Sequence, residues 1–203
     1  TIYDNGTLIG TVVANSNGAW SFTPTSDLSS GAHSLTTTVT DLSGNTSVDS
    51  APLNFTIDTT APVAPTLNAQ TTNDSTPVLS GTAEPNSTVT VTVGGATFEV
   101  TANGNGSWSL DTGNATPVSG TFNLGNDGNK TVGLTSTDAA GNQTTGAGTI
   151  TFDTQAPVAP AFTANDNVAP VTGTITSGAS TNDTTPTLSG TTEPNATVTI
   201  YDN

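Results

Sequence analysis

The chain has no cysteine and no methionine, a single basic residue of the lysine–arginine kind, Lys130, and a single histidine, His33. Each absence removes a class of function. Without cysteine there is no disulfide framework, no thiol nucleophile and no cysteine-ligated zinc, although this is silent on compartment. With one histidine there is no partner for a Ser–His–Asp triad or a histidine zinc site. One lysine against 16 acids, a net charge of −15, leaves no basic footprint for nucleic acid and nothing to hold an anionic membrane. The small partners such a surface suits are cations. Missing methionine, signal peptide, membrane-spanning run and anchor are what an internal stretch of a longer polypeptide is expected to show. Apolar residues are 32% and aromatics 5%, so any core is thin.

What is present is repetition. Asp58 to Pro65 reads DTTAPVAP and Asp153 to Pro160 reads DTQAPVAP. Trp20 in NGAW matches Trp108 in NGSW, and Asp41-Leu-Ser-Gly-Asn matches Asp138-Ala-Ala-Gly-Asn. The run from Thr72 through Glu84-Pro-Asn returns from Thr181 through Glu193-Pro-Asn, and TIYDN both opens the chain and closes it. Asp41 and Asp138 lie 97 residues apart and Glu84 and Glu193 lie 109 apart, which places an insertion between Asp153 and Glu193. The reading is a tandem array cut out of phase: residues 1–58 a partial module without its first strands, 59–153 a complete module, 154–203 a longer linker and the first strands of a third. An array buries each core locally and gains length by addition.

Low hydrophobicity with high net charge argues for disorder, but the alternating patterns outweigh it. Residues 88–93 alternate threonine and valine, putting Val89, Val91 and Val93 on one face. Gly94-Gly95 then closes a two-residue hairpin, and residues 96–101 return. Further strands are expected at 65–68, 77–82, around Trp108, at 131–137 with Val132 and Leu134 inward, and at 149–152 with Ile150 and Phe152 inward. Seven short strands with turns at this spacing predict an all-β fold, tandem Ig-like antiparallel sandwiches in an elongated array. Trp20 and Trp108 are expected in cores rather than as sugar platforms. His33, eight residues before Asp41 as Lys130 is eight before Asp138, is expected on the surface at the start of a strand. Strand parity places Glu84-Pro-Asn, Asn103 to Gly106 and Asp138 to Asn142 at the N-terminal pole of the complete module, with Thr72-Asn-Asp74 and Asp153 at the other. Asp58 would then end the first module where Glu84 and Asp138 converge, and Asp153 and Asp74 would face Glu193.

D-T-T-A-P-x-A-P, T-N-D-x-T-P-x-L-S-G-T-x-E-P-N, T-V-T-I-Y-D-N-G, N-G-x-W-S and T-D-x-x-G-N, in this order over nearly the whole chain, resemble the bacterial Ig-like repeats of giant surface adhesins of the biofilm-associated-protein and RTX-adhesin type. The resemblance implies an extracellular stalk in surface attachment or biofilm, not an enzyme, with Ca²⁺ at the module junctions. By matching position, that role falls to Asp58, Glu84 and Asp138, and to Asp153 and Glu193. Asp74 stands in Asn73-Asp74, where many relatives have two acids. The implied partners are neighbouring modules of the same chain or head-to-tail copies, with no nucleic acid and no membrane contact by this segment. Ca²⁺ takes about six to eight oxygen ligands, and carboxylates, Asn amides and turn carbonyls are what these junctions contain. The bland alternative is that each acid is a solvated turn residue. Two other functional readings stand beside the stalk: a module that binds glycan or protein through exposed loops, and a spacer attached to a secreted enzyme. The phase of the cut adds an expectation, that residues 161–203 of one copy complete residues 1–57 of another by strand complementation. A closed sandwich in residues 1–57 would contradict it.

Overall fold

The structure is a computed structural model, and it describes residues 1–202; Asn203, the last residue of the expected third module, lies outside the described residues. The chain separates into two compact units, Thr1–Asp153 and the residues from Thr154 onward. All regular structure among the described residues is β, as the alternating pattern requires.

The first unit begins with four strands, β1 (Ile2–Asp4), β2 (Thr7–Gly10), β3 (Gly31–Thr37) and β4 (Leu53–Ile57). They form one sheet in the order β2-β1-β3-β4, every pair antiparallel. It is an open sheet with no facing sheet of its own; Ile2 is its single buried apolar residue.

Eight strands follow: β5 (Thr71–Thr72), β6 (Val78–Thr82), β7 (Thr88–Val93), β8 (Ala96–Thr101), β9 (Ser107–Asp111), β10 (Ser119–Gly120), β11 (Gly128–Thr137) and β12 (Gln143–Phe152). One sheet runs β10-β8-β7-β11-β12-β5 and the other pairs β6 with β9. The Thr–Val alternation forms β7 with Val89, Val91 and Val93 all buried. Gly94 and Gly95 close the β7–β8 hairpin at φ 56° and 78°, the left-handed pair that a two-residue turn demands. The expected first strand does two jobs. Thr66 and Asn68 donate their amides to Thr82 and Ser80 of β6, and β5 then crosses to pair in parallel with β12. Gly81 permits the first contact: a Cβ there would lie 1.9 Å from the Thr66 carbonyl oxygen. Between the sheets lies one core containing Leu79, Phe98, Trp108, Leu134 and Ile150.

Several boundaries differ from expectation. β11 and β12 are each ten residues long and pair along their full length, because Gly and Thr extend the ladder beyond the apolar alternation. The connection before β11 contributes β10, a buried Leu124, and Phe122, whose ring meets Phe98 edge-on at 5.8 Å.

The second unit has β13 (Ala161–Asp166), β14 (Gly173–Ile175) and β15 (Thr187–Thr191) in the order β14-β13-β15. The inserted residues make β14 and the turn around Asp166. All five residues of β15 are exposed.

Candidate functional site

The residues expected at the N-terminal pole of the complete module do gather there. Asn86 adopts φ 64°, a left-handed position that asparagine tolerates. It turns the chain so that the Ser87 amide reaches the Glu84 carbonyl at 3.1 Å. The Ser87 hydroxyl donates to the same carbonyl at 2.7 Å, and Ser136 on β11 donates to the Ser87 oxygen at 2.9 Å. Both serines are buried, so a polar relay through the core fixes the backbone of Glu84. No alternation marks a serine just before β7 and one on β11 as partners, and the sequence reading missed them. The Ala83 amide donates to the Gly106 carbonyl at 2.8 Å and ties the Asn103 turn to the same pole.

The Asp138 loop is held by its own carboxylate. Oδ1 accepts the amides of Ala140 and Asn142, each at 2.9 Å, and Oδ2 accepts Asn142 Nδ2 at 2.8 Å. These bonds favour the ionised form, and the Asn142 side chain is the foremost reason that the Asp138 pKa lies below its ordinary value. Asn142 Nδ2 also donates to the main-chain carbonyl of Asp58 at 3.0 Å. Glu84 Oε2 accepts the Val63 amide at 3.3 Å. The segment leaving the first module is therefore fastened at two points, by the side chain that holds Asp138 and by Glu84. The Asp58 carboxylate itself accepts the Thr60 amide at 2.9 Å.

At the opposite pole, the Asp153 amide donates to the Thr72 carbonyl at 3.0 Å and the Asp74 amide to the Thr72 hydroxyl at 3.0 Å. Asp74 Oδ1 accepts the Thr76 amide and hydroxyl. The equivalent turn in the second unit has the same internal bonds, Asp183 N to Thr181 Oγ1 and Thr185 N to Asp183 Oδ1. There the insertion folds onto it: Asn167 N donates to Asp183 Oδ2 at 3.1 Å and Thr181 Oγ1 to Asp166 Oδ2 at 2.6 Å. Asp166 and Asp183 are buried, whereas Asp74 is exposed. Asp153 ends the first unit and exposed Glu193 belongs to the second, in a turn where Asn195 at φ 65° repeats Asn86.

Hard oxygen donors of this kind, carboxylates and a turn carbonyl, have the chemistry that Ca²⁺ takes. Among the described residues no three acidic or histidine side chains form a group that could hold a metal ion, so the expected convergence of the Asp58, Glu84 and Asp138 carboxylates is not seen.

Two expectations are corrected. Trp108 is a core residue, 3% exposed, with Nε1 donating to the Thr66 carbonyl at 3.2 Å, but Trp20 is 53% exposed. Residues 65–82 cover Trp108, and among the described residues no such segment lies over Trp20. His33 is not a surface residue; it is 5% exposed and stacks on Phe55 at 5.4 Å. Its Nδ1 lies 2.6 Å from Asp4 Oδ2 and its Nε2 lies 2.7 Å from the Ser29 carbonyl. A carbonyl and a carboxylate both accept, so this pair of contacts favours the form in which both ring nitrogens donate, the imidazolium. The Ser29 carbonyl first, then Asp4, raise its pKa. The signal that could have found this is positional: Lys130 Nζ donates to the Asn126 carbonyl, also four residues back. The same loop carbonyl is held by a cation in both modules.

Among curated protein sequences none matches the chain. Among solved structures it is similar to part of a 1.5-MDa bacterial ice-binding adhesin (27% identity over 75% of this chain and 52% of that one, TM-score 0.36). It is also similar to a tetra-tandem repeat in the extending region of a large adhesion protein (24%, over 94% and 56%, TM-score 0.39). A third is a Ca²⁺-stabilized, ice-binding adhesin of an Antarctic bacterium (28%, over 66% and 34%, TM-score 0.33). The chain thus spans less than two thirds of each. The bacterial Ig-like domain family matches residues 1–59 and again 66–154. The chain belongs to the bacterial Ig-like domain family.

Proposed function

We propose that this chain is a stalk segment of an extracellular bacterial adhesin, in which modules in series hold a binding region away from the cell, in surface attachment or biofilm. It performs no catalysis; its work is mechanical. In this reading residues 1–58, 59–153 and 154–203 are successive modules of one array. The observation that carries it is the fastening of the inter-module segment, with Asp58 O on Asn142 and Val63 N on Glu84. A free linker would make neither bond, and a fastened one transmits orientation from module to module.

Ca²⁺ is the cation this junction would take, held by Asp58, Glu84 and Asp138, with Asn142 orienting Asp138. By motif position Asp153 repeats Asp58 and Glu193 repeats Glu84, so the same role is proposed for each of them and for Asp74. Bound there, the ion supplies charge neutralisation and a tie between modules. Extracellular modules bind Ca²⁺ with Kd of roughly 10⁻⁴ to 10⁻³ M. At ten times Kd one such site would stabilise its junction by about 1.4 kcal/mol, enough to bias a hinge. Titration calorimetry of the chain with Ca²⁺ tests the assignment. Binding in that range, lost from the first junction in Asp138→Asn and Glu84→Gln with module two still folded, is expected. Equal binding by the variants, or no binding by the parent chain, would overturn the calcium reading.

A further inference from the structure

His33 sits at the end of module one from which the chain leaves for module two. Register puts it there. Gly31 at the start of β3 pairs with Ile57 at the end of β4, and His33 pairs with Phe55, on whose ring it stacks. Just before β3 the chain turns a corner at Ser29 and Ser30, and that corner is fastened twice. His33 Nε2 meets the Ser29 carbonyl at 2.7 Å, and the Ser30 hydroxyl donates to the Ile57 carbonyl at 3.1 Å. Asp58 follows Ile57, and its carbonyl is the one that accepts Asn142 Nδ2 from module two. A short run of contacts therefore joins the His33 ring to the junction.

Both contacts of the ring are with acceptors. Asp4 Oδ2 lies 2.6 Å from Nδ1, and Asp4 is itself anchored, because its Oδ1 accepts the Ser34 amide of β3 at 3.2 Å. An imidazolium donates to both acceptors; a neutral imidazole has one N–H and turns a lone pair on the other oxygen. The anchored carboxylate is the stronger acceptor, so the Ser29 carbonyl is the one let go. No second charge competes. Asp4 is the charged group that faces the ring from β1, where Tyr3 alternates to the other face. β2 and β4 carry no titratable residue, and β3 carries none besides His33. The one acid of residues 11–30 is Asp27, which is exposed, as is Asp58 beyond β4.

We propose that His33 is a pH-operated latch on the junction between modules one and two: its protonated ring pins the Ser29–Ser30 corner to the end of β4, and loss of the proton frees the corner and loosens the departing segment. The Ser29 carbonyl first, and Asp4 after it, raise the folded pKa above 6.5. The latch is therefore closed below about pH 6.5 and opens as pH rises through the folded value. Module two is built differently at the equivalent place. There the Lys130 ammonium holds the Asn126 carbonyl, and the β7–β8 hairpin has Val93 where the β1–β2 hairpin has Asp4. The latch presupposes the fastened junction proposed above and needs no calcium.

The test is NMR on the whole chain with chelator present, between about pH 5.5 and 8.5, where histidine titrates. The His33 ring, the Asn142 side-chain amide and the backbone amide order parameters of residues 59–64 are followed together. In the parent chain the order parameters should stand near the rigid value of about 0.85 in acid and fall towards about 0.6 as the ring loses its proton. The Asn142 amide should shift with the same midpoint. His33→Lys installs the group that module two uses, and should keep residues 59–64 rigid and Asn142 unmoved throughout. Every other titratable group is retained in that variant, so a response common to both chains overturns the latch. In Asp4→Asn the ring midpoint should move to lower pH and carry the order-parameter midpoint with it; midpoints that separate overturn the latch. Residues 59–64 that stay rigid while His33 titrates overturn the latch alone. Residues 59–64 that are flexible at every pH overturn it together with the fastened junction.

Discussion

Trp20 and Trp108 stand in the same motif, NG-x-W, and end in opposite environments. Trp108 is sealed by β6 and by the strand segment before it, with its indole N–H bonded to Thr66; Trp20 faces solvent beside an open groove. The motif is the same, so the difference is made by residues about 30 to 40 positions earlier in the module. Burial in a sandwich is a property of the pair of sheets, not of the strand that carries the residue. Of the buried apolar residues, all but Ile2 belong to module two.

The largest expected break in this comparison is at the tryptophans. Trp108→Ala should destabilise module two by about 3–5 kcal/mol, and Trp20→Ala should change stability by less than about 0.5 kcal/mol. Denaturant unfolding followed by far-UV dichroism checks both; similar losses would mean that module one has a core after all. Next come the glycines. Gly81→Ala would drive a methyl into the Thr66 carbonyl, which is backbone and cannot swing away, and should cost about 1–3 kcal/mol. Gly10→Ala in module one meets only the far edge of the Phe22 ring, which can turn aside, and should cost less. Thermal melts of the two variants rank them, and a reversed order would contradict the packing described.

The smallest difference is in how each module holds its loop carbonyl. In module two the group is the Lys130 ammonium. In module one it is His33, whose folded pKa is raised above its ordinary 6.5 by Ser29 and Asp4. A raised value means that its stabilisation is complete below about pH 6.5 and is lost as pH rises through the folded pKa. NMR titration of the His33 ring should give a midpoint above 6.5, and the resonances of β3 and β4 should shift with it while those of β11 and β12 do not. A midpoint at or below 6.5 would mean that the imidazolium is not the form held between Asp4 and Ser29.

The sequence made the fold class and most of module two legible, because alternation and turn chemistry are local signals. β7, the Gly94-Gly95 hairpin and β8 follow residue by residue from Thr–Val alternation and two glycines. Strand parity was enough to put Glu84 and Asp138 at one pole, since a hairpin can only reverse direction. What stayed hidden depends on contacts between distant residues. The Ser87–Ser136 relay joins two polar residues 49 positions apart, one just before β7 and one on β11. His33 is buried because Asp4, 29 positions earlier, and Phe55 close around it. Trp20 misled because its own strand pattern is sound and the residues that would bury it lie elsewhere. At the candidate site, motif position proposes the acids, but the fastening of Asp58 by Asn142 is a side-chain-to-backbone bond with no sequence period.

Small-angle X-ray scattering of the chain, dilute enough to be monomeric, with Ca²⁺ and then with chelator tests the central claim, that the junction at Asp58, Glu84 and Asp138 stiffens a stalk. The account predicts an extended particle whose maximum dimension falls, or whose flexibility rises, on chelation, and a chelator-like profile for Asp138→Asn in either condition. A profile unchanged by chelation, identical in the variant, would contradict it.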